Sequence, residues 1–210
     1  MADRDSVAGR PSPIRLLLAS SNAGKLREYR ELARNSPLEL DLPPNFRDVA
    51  EFEETAPTFA ENAVGKALHY GRFTDELLMA EDSGLVVPAL DGAPGVYSAR
   101  YAGPKGTEAD CVRKLLDAME GKTGTERRAR FVCAIALAHR GRALAVVSDF
   151  VEGTITEEPR GPHGFGYDPV FLLPDVGLTS AEISQDEKNR LSHRGKAFRK
   201  IRGILTNPAF

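Results

Sequence analysis

The run Ala19-Ser20-Ser21-Asn22-Ala23-Gly24-Lys25 stands between an apolar segment and an amphipathic one, and its residue types suit a phosphate. A small polar loop that ends a strand and opens a helix offers unpaired backbone N–H groups and the positive end of the helix dipole. Gly24 would let the backbone approach a ligand closely, and Lys25 adds a mobile cation. An ordinary strand–turn–helix with a solvated lysine fits the same residues. The run is not a Walker A loop, which needs glycine at position 19 and Ser or Thr at 26, where this chain has Ala19 and Leu26.

A second group is acidic: Glu53, Glu54, Glu61, Glu81 and Asp82. Asp82 is expected at the end of an apolar strand, before Ser83-Gly84, and strand ends of α/β sheets are where ligands collect. A carboxylate there facing another from the Glu53 loop would make an oxygen-only site of the kind Mg²⁺ prefers, completed by water and substrate phosphate. A solvated acidic loop and a capping aspartate would look the same. No His/Cys cluster offers a zinc or iron site, since His69, His139, His163 and His193 are scattered. The third group is aromatic and basic. Gly164-Phe165-Gly166-Tyr167-Asp168-Pro169 either exposes a ring for stacking on a flat base or packs its rings inward as a tight turn. Lys188 and Ser192-His193-Arg194-Gly195 can donate to phosphate or base oxygens. Together, the phosphate loop, carboxylates, aromatic turn and donors describe a nucleotide site.

The elements that must position these groups follow from periodicity. Ile14 to Leu18 reads as a buried strand, and Lys25 onward as a helix with Leu26, Tyr29, Leu32 and Ala33 at helical spacing. Leu38 to Leu42 is a short strand; Glu51 to Glu54 is a loop around Phe52. Thr58-x-x-Glu61 opens a helix with Ala60, Ala63, Val64, Ala67 and Leu68 on one face. Leu77 to Ala80 is a buried strand, and residues 91–103 are a structured loop. Thr107-x-x-Asp110 begins another helix, with Val112, Leu115, Leu116 and Met119 inward. Phe131 to His139 and Ala143 to Ile155 form a hairpin across Arg140-Gly141-Arg142, so part of the sheet is antiparallel. Val170 to Leu173 is a strand, and the segment from Ser192 aligns Ala197, Phe198, Ile201, Ile204 and Leu205 on one helical face. The alternation of strands and helices predicts a mixed α/β sheet covered by helices.

Composition bounds the reading. At 210 residues the chain fits one domain, perhaps of two lobes, and residues 1–13 read as a loose, disordered tail. A formal charge of −2 argues against a general nucleic-acid grip. Isolated Cys111 and Cys133 suit a reducing cytoplasm, and the longest apolar stretch, Val132 to Ala138, is too short to cross a bilayer.

The motifs also match a known family. SSNAGK (20–25), EET (53–55), TFAENA (58–63), EDSGL (81–85), GAPGVYSARYAG (92–103), GFGYDP (164–169) and SHRGKA (192–197) run in family order across nearly everything after the tail. The chain thus resembles the inosine/xanthosine triphosphate pyrophosphatases, which clear damaged purine nucleotides. The resemblance implies an elongated mixed sheet with flanking helices, two lobes around a central nucleotide-binding cleft, a single pyrophosphatase domain over residues 14–210, and a homodimer. It implies Mg²⁺-dependent hydrolysis of ITP, dITP and XTP to the monophosphate and pyrophosphate, which keeps these nucleotides out of nucleic acid. By position, Ser20, Ser21, Asn22, Ala23, Gly24 and Lys25 would hold the phosphates, and Glu53 and Asp82 the metal, with Asp82 also the proton acceptor. Ser83, Phe165, Gly166, Tyr167, Asp168, Lys188, His193 and Arg194 would contact the nucleotide. Bacterial members often read Asp-Asp-Ser where this chain has Glu81-Asp82-Ser83, which lengthens the first carboxylate's reach.

Selectivity would come from a donor such as Arg194 facing the C6 oxygen of hypoxanthine or xanthine, where adenine carries an amino group. Two rival readings share these residues: a pyrophosphatase for pyrimidine or modified bases, and a module that senses such nucleotides without turnover. Intact Glu53, Asp82 and Lys25 speak against the second, since a pure binder has no need of a water-activating metal site.

Overall fold

Strand β1 (Ile14–Ala19) ends sooner than its neighbour β3 (Leu77–Val86), and the site depends on that mismatch. The two run parallel, paired through Leu17–Leu78, Leu18–Met79 and Ala19–Ala80. Beyond Ala80, β3 continues along β4 (Arg128–His139) in an unbroken antiparallel ladder as far as Val86–Arg130. Residues 81–85 of β3 therefore have a strand on one side only. The expected strand closed at Ala80; in fact Glu81, Asp82, Ser83 and Gly84 lie within it, because β4 satisfies their backbone groups and side-chain partners neutralise most of their charge.

The structure, a computed structural model, describes residues 13–44 and 46–207; residues 1–12 of the expected tail lie outside the described residues. The remaining elements are α1 (Ala23–Ala33), β2 (Leu38–Asp41), α2 (Phe59–Tyr70), α3 (Glu108–Ala118), β5 (Arg142–Ile155), β6 (Phe171–Leu173), β7 (Leu178–Thr179), α4 (Gln185–Leu191) and α5 (His193–Leu205). They form a mixed seven-stranded sheet, ordered β2-β1-β3-β4-β5-β6-β7, with helices on both faces. This is the α/β class expected. The β4–β5 hairpin turns through Arg140 (φ 50°) and Gly141 (φ 70°), the left-handed pair that a two-residue connection with the right strand twist needs.

Each helix start has a local cause. Asn22 Oδ1 accepts the Lys25 N–H at 2.9 Å, so α1 begins at Ala23, two residues before the position that periodicity suggested. Thr107 and Asp110 form a full capping box at α3, and Thr58 caps α2 by accepting from Glu61 N at 3.2 Å. Helix α4, which sequence periodicity did not reveal, is capped by Ser184.

Strand alternation sends two sets of side chains to the two faces. On one, Ala63 and Ala67 of α2 meet Ala80, Ala134, Ala136 and Ala138, small residues that let the helix sit close to the sheet. On the other, Tyr29 of α1 and Phe198 and Ile201 of α5 cover Leu16, Leu18, Met79, Ile135 and Leu137. A third cluster joins Leu85, Phe131 and Phe171 to Leu115 and Met119 of α3. The loop expected over residues 91–103 is indeed ordered: Gly95–Arg100 forms a tight helical turn against β3. Ser98 Oγ accepts the Leu85 N–H at 2.9 Å and donates to Gly95 O at 2.6 Å.

Gly84 permits that approach, since a Cβ there would fall 2.4 Å from Ser98 Oγ and 2.5 Å from Gly95 O. Gly84→Ala should therefore lose about 1–3 kcal/mol of stability by overpacking, read as a lowered midpoint in thermal unfolding. An unchanged midpoint would mean that residues 95–100 are not anchored as described.

Candidate active site

A cavity of about 740 Å³ opens where β3 runs on past β1. Four residues of the expected phosphate loop line it: Ser20, Ser21, Asn22 and Lys25. Asn22 takes the Lys25 N–H, and Ser20 Oγ takes that of Asn22 at 3.3 Å. Among the described residues the N–H groups of Ser21, Ala23 and Gly24 have no partner, which leaves donors for an anion at the start of α1. Ala23 and Gly24 do not line the cavity. The close approach that Gly24 permits is made by the Phe165 ring, whose Cδ1 would lie 2.7 Å from an added Cβ.

The other expected residues line the same cavity: Glu53, Asp82, Ser83, Phe165, Gly166, Tyr167, Asp168, Lys188, His193 and Arg194. Several are already committed to one another. Arg194, almost wholly buried, donates through Nε and Nη2 to both oxygens of Glu81 (2.9 and 2.8 Å) and through Nη1 to Glu28 Oε2 (2.5 Å). Its Nη2 also reaches Ser83 Oγ at 3.2 Å. Lys188 Nζ lies 2.6 Å from Glu28 Oε1 and 2.5 Å from Asp168 Oδ2, and Lys25 Nζ lies 3.4 Å from Glu81.

Arg194, expected to offer a donor to the base edge, is thus largely committed within the protein. Four of its five N–H groups are spent on Glu81, Glu28 and Ser83, because two buried carboxylates need the charge. One N–H remains. Tyr167 likewise turns its hydroxyl away to the Ser98 carbonyl at 2.9 Å and packs inward.

Adjacent carboxylates on β3 have opposite fates. Burial alone would raise the Glu81 pKa, but the charges of Arg194 and Lys25 outweigh it and hold the group well below the usual carboxylate range. The added methylene of Glu81 thus serves Arg194. Asp82, on the other face, donates no charge to a bidentate partner. Burial, then the negative charge of Glu54, push its pKa up to about 6 against the pull of Lys25, Asn62 and Lys66. Its oxygens accept from Asn62 Nδ2 (2.9 Å) and Ser83 N (2.9 Å). Glu54 is paired with Lys66 and, at 3.7 Å, with Arg100. The Glu53 side chain, exposed in the cavity wall, forms no ion pair or hydrogen bond among the described residues. Among those residues no cluster of three or more His, Cys, Asp or Glu could enclose a metal by itself.

His193 stacks on Phe131 with ring centroids 4.8 Å apart and planes 12° apart. Its Nδ1 is buried without a partner. Burial, then the Arg194 charge, hold its pKa well below 6.5, so the imidazole is neutral at physiological pH. A neutral ring carries one donor and one acceptor, which suits the edge of a base.

Sequence reasoning missed Glu28, Asn62, Lys66, Arg100, Glu108 and Phe131. Glu28 had a signal: Lys25, Glu28, Tyr29 and Leu32 share one face of α1, so a charge sits in an apolar stripe. Asn62 and Lys66, four apart on α2, had a similar one. Phe131 had none, since it reads as core.

Comparison with known proteins shows the family to which the chain belongs. Residues 16–204 match the model of the Ham1 family. A dITP/XTP pyrophosphatase of Geobacillus kaustophilus is 48% identical over 186 residues, 89% of this chain and 91% of that protein. A solved HAM1 protein from Coxiella burnetii is 42% identical, with a TM-score of 0.81 over 92% of this chain and 98% of its own. The Staphylococcus aureus Ham1 protein is 34% identical, with a TM-score of 0.80 over 91% and 97%. The phosphate loop, the β3 carboxylates and the basic wall all fall inside the matched span, and the chain belongs to the Ham1 family.

Proposed function

We propose that this chain hydrolyses deaminated purine nucleoside triphosphates (ITP, dITP and XTP) to the monophosphate and pyrophosphate, and so keeps them out of nucleic acid. One observation carries the reading: a single cavity joins the unpaired Ser21 N–H just before α1, the Lys25 cation, a carboxylate of raised pKa, and a buried neutral imidazole. The name dITP/XTP pyrophosphatase, borne by relatives more than 40% identical, supports the same substrates.

Asp82 and Glu53 are the residues that would hold Mg²⁺, and the donor set suits it. Both are hard oxygen ligands lining the cavity, the Glu53 side chain has no other partner among the described residues, and Asp82 carries charge that Glu54 makes unfavourable. With only two carboxylates from the protein, water and phosphate would complete the shell. When bound, the ion neutralises phosphate charge and polarises the α-phosphorus. The protein's own part is positioning and proton transfer. A water oxygen bonds to the α-phosphorus as the bond to the bridging oxygen breaks, and Asp82 accepts the water's proton. Pyrophosphate departs with its charge held by Lys25 and the Ser21 N–H. Phe165 stacks on the base, while His193 and the remaining N–H of Arg194 meet its edge.

The domain reading is one pyrophosphatase domain of two lobes over residues 14–210. The substrate is a free nucleotide, with no nucleic-acid partner. A homodimer is supported by Leu144, Val146 and Phe150, apolar yet exposed at alternate positions of β5. The cytoplasm is supported by two unpaired cysteines, and no helix among the described residues is long and apolar enough to cross a membrane.

Incubation with Mg²⁺ and ITP, followed by phosphorus NMR, should give IMP and inorganic pyrophosphate. IDP and orthophosphate would mean that a different bond is cut, and a kcat/KM for ATP comparable to that for ITP would refute the pocket's selection for a C6 oxygen.

If Asp82 is the base, kcat/KM for ITP falls about tenfold per pH unit below about 6, because only the ionised form accepts the proton, and levels above it. Raising Mg²⁺ moves that limb to lower pH, since a nearby cation favours the charged carboxylate. Asp82→Asn should lose about 10²–10⁴ in kcat. Near wild-type turnover by that variant, or a pH profile without an acidic limb, would exclude Asp82 as the base.

A further inference from the structure

Phe165 is held by two carboxylates from distant parts of the chain. Asp168 Oδ2 accepts the Phe165 N–H at 2.8 Å, closing the turn locally. Glu108 Oε2 accepts the N–H of the next residue, Gly166, at 2.8 Å across 58 residues of sequence. The turn reaches this shape because Gly164 (φ 80°) and Gly166 (φ 60°) adopt left-handed backbone. Its product is a fixed Phe165 ring, 5.0 Å from Lys188 Nζ and 5.5 Å from Arg194 Cζ, and in contact with Gly24 at the start of α1.

Glu108 is not needed to cap the helix it begins. It is the first residue of α3, but that helix is capped by Thr107 and Asp110, whose mutual bonds are complete without it. Glu108 is exposed, forms no ion pair among the described residues, and lines the cavity. Its side chain's one hydrogen bond among the described residues is the one to Gly166. The other anchors of the turn act further along: Lys188 on Asp168, and the Ser98 carbonyl on the Tyr167 hydroxyl. Glu108 holds the N–H of the peptide just after Phe165, whose carbonyl accepts the Asp168 N–H at 3.3 Å.

We propose that Glu108 is a positioning residue for substrate: it fixes the peptide after Phe165 so that the ring stands ready to stack on the purine. The proposal rests on the nucleotide reading above. Freed of Glu108, the turn must be ordered when the nucleotide binds, and that lost entropy weakens binding. Stacking on the base is the same before and during bond cleavage, so the loss falls on KM rather than on kcat.

The test measures kcat and KM for ITP with wild type, Glu108→Ala, Glu108→Gln and Phe165→Leu, and with Glu108→Ala combined with Phe165→Leu. Thermal midpoints confirm that each variant folds. Glu108→Ala should raise KM about five- to tenfold, as expected for one lost hydrogen bond, with kcat within about twofold. Glu108→Gln, which keeps an acceptor oxygen, should stay near wild type. In the Phe165→Leu background, Glu108→Ala should add less than about twofold, because it acts through that ring. An unchanged KM, a loss confined to kcat, or a full additive effect on Phe165→Leu would overturn the proposal. A wild type that releases no pyrophosphate from ITP overturns the catalytic reading instead. The affinity of IMP for the same variants, by calorimetry, then decides the role of Glu108 by the same pattern.

Discussion

The site depends on the alternation of side chains across β3. Glu81 and Asp82 are neighbours in sequence, equally acidic and both buried, yet a strand must send them to opposite faces. Glu81 enters a buried network of three carboxylates (Glu28, Glu81, Asp168) and three cations (Lys25, Lys188, Arg194). Asp82 meets an amide and a backbone N–H, with Glu54 near enough to oppose its ionisation. One carboxylate is thereby a fixed structural charge and the other a titratable group in a ligand-sized cleft. A one-residue slip in the β3–β4 register would exchange them.

Topology creates the space for this difference. Because β1 parts from β3 after Ala19, the β3 backbone over residues 81–85 is approached from that side by side chains and the α1 loop rather than by a strand. The cleft combines two chemistries. The Ser21 N–H and Lys25 suit phosphate, while the Phe131–His193 stack and Phe165 suit a flat ring. The buried ion network costs desolvation, and its return is geometric: Arg194 and Lys188 cannot rotate away, since truncating any partner would leave a buried charge unmatched.

Much of this could be read from residues in order. The apolar β1, the capping box at Thr107, the Arg140-Gly141 turn and the inward face of α5 all express local rules, and local rules act on neighbours in sequence. The cluster of phosphate loop, carboxylates and donors was legible as a set of residue types, though not as a set of bonds. What stayed hidden is long-range pairing. Arg194 meets Glu81 and Glu28 across 113 and 166 residues, so nothing near residue 194 reveals that its donors are spent. The true end of β3 was hidden for the same reason: Glu81 and Asp82 look like the close of a strand until β4 supplies the ladder. Gly24 was read as a place where the backbone could approach a ligand, and the group that the structure packs against it is the Phe165 ring.

The central claim is that Asp82, with Glu53, holds the catalytic cation, while Glu81 does not. Crystals soaked in Mn²⁺ and measured near the manganese absorption edge test it without reference to turnover. An anomalous peak within coordination distance of the Asp82 carboxylate, and on the side of Glu53, is the predicted result. A peak at Glu81, or none in the cleft at saturating Mn²⁺ with a bound nucleotide, would contradict it.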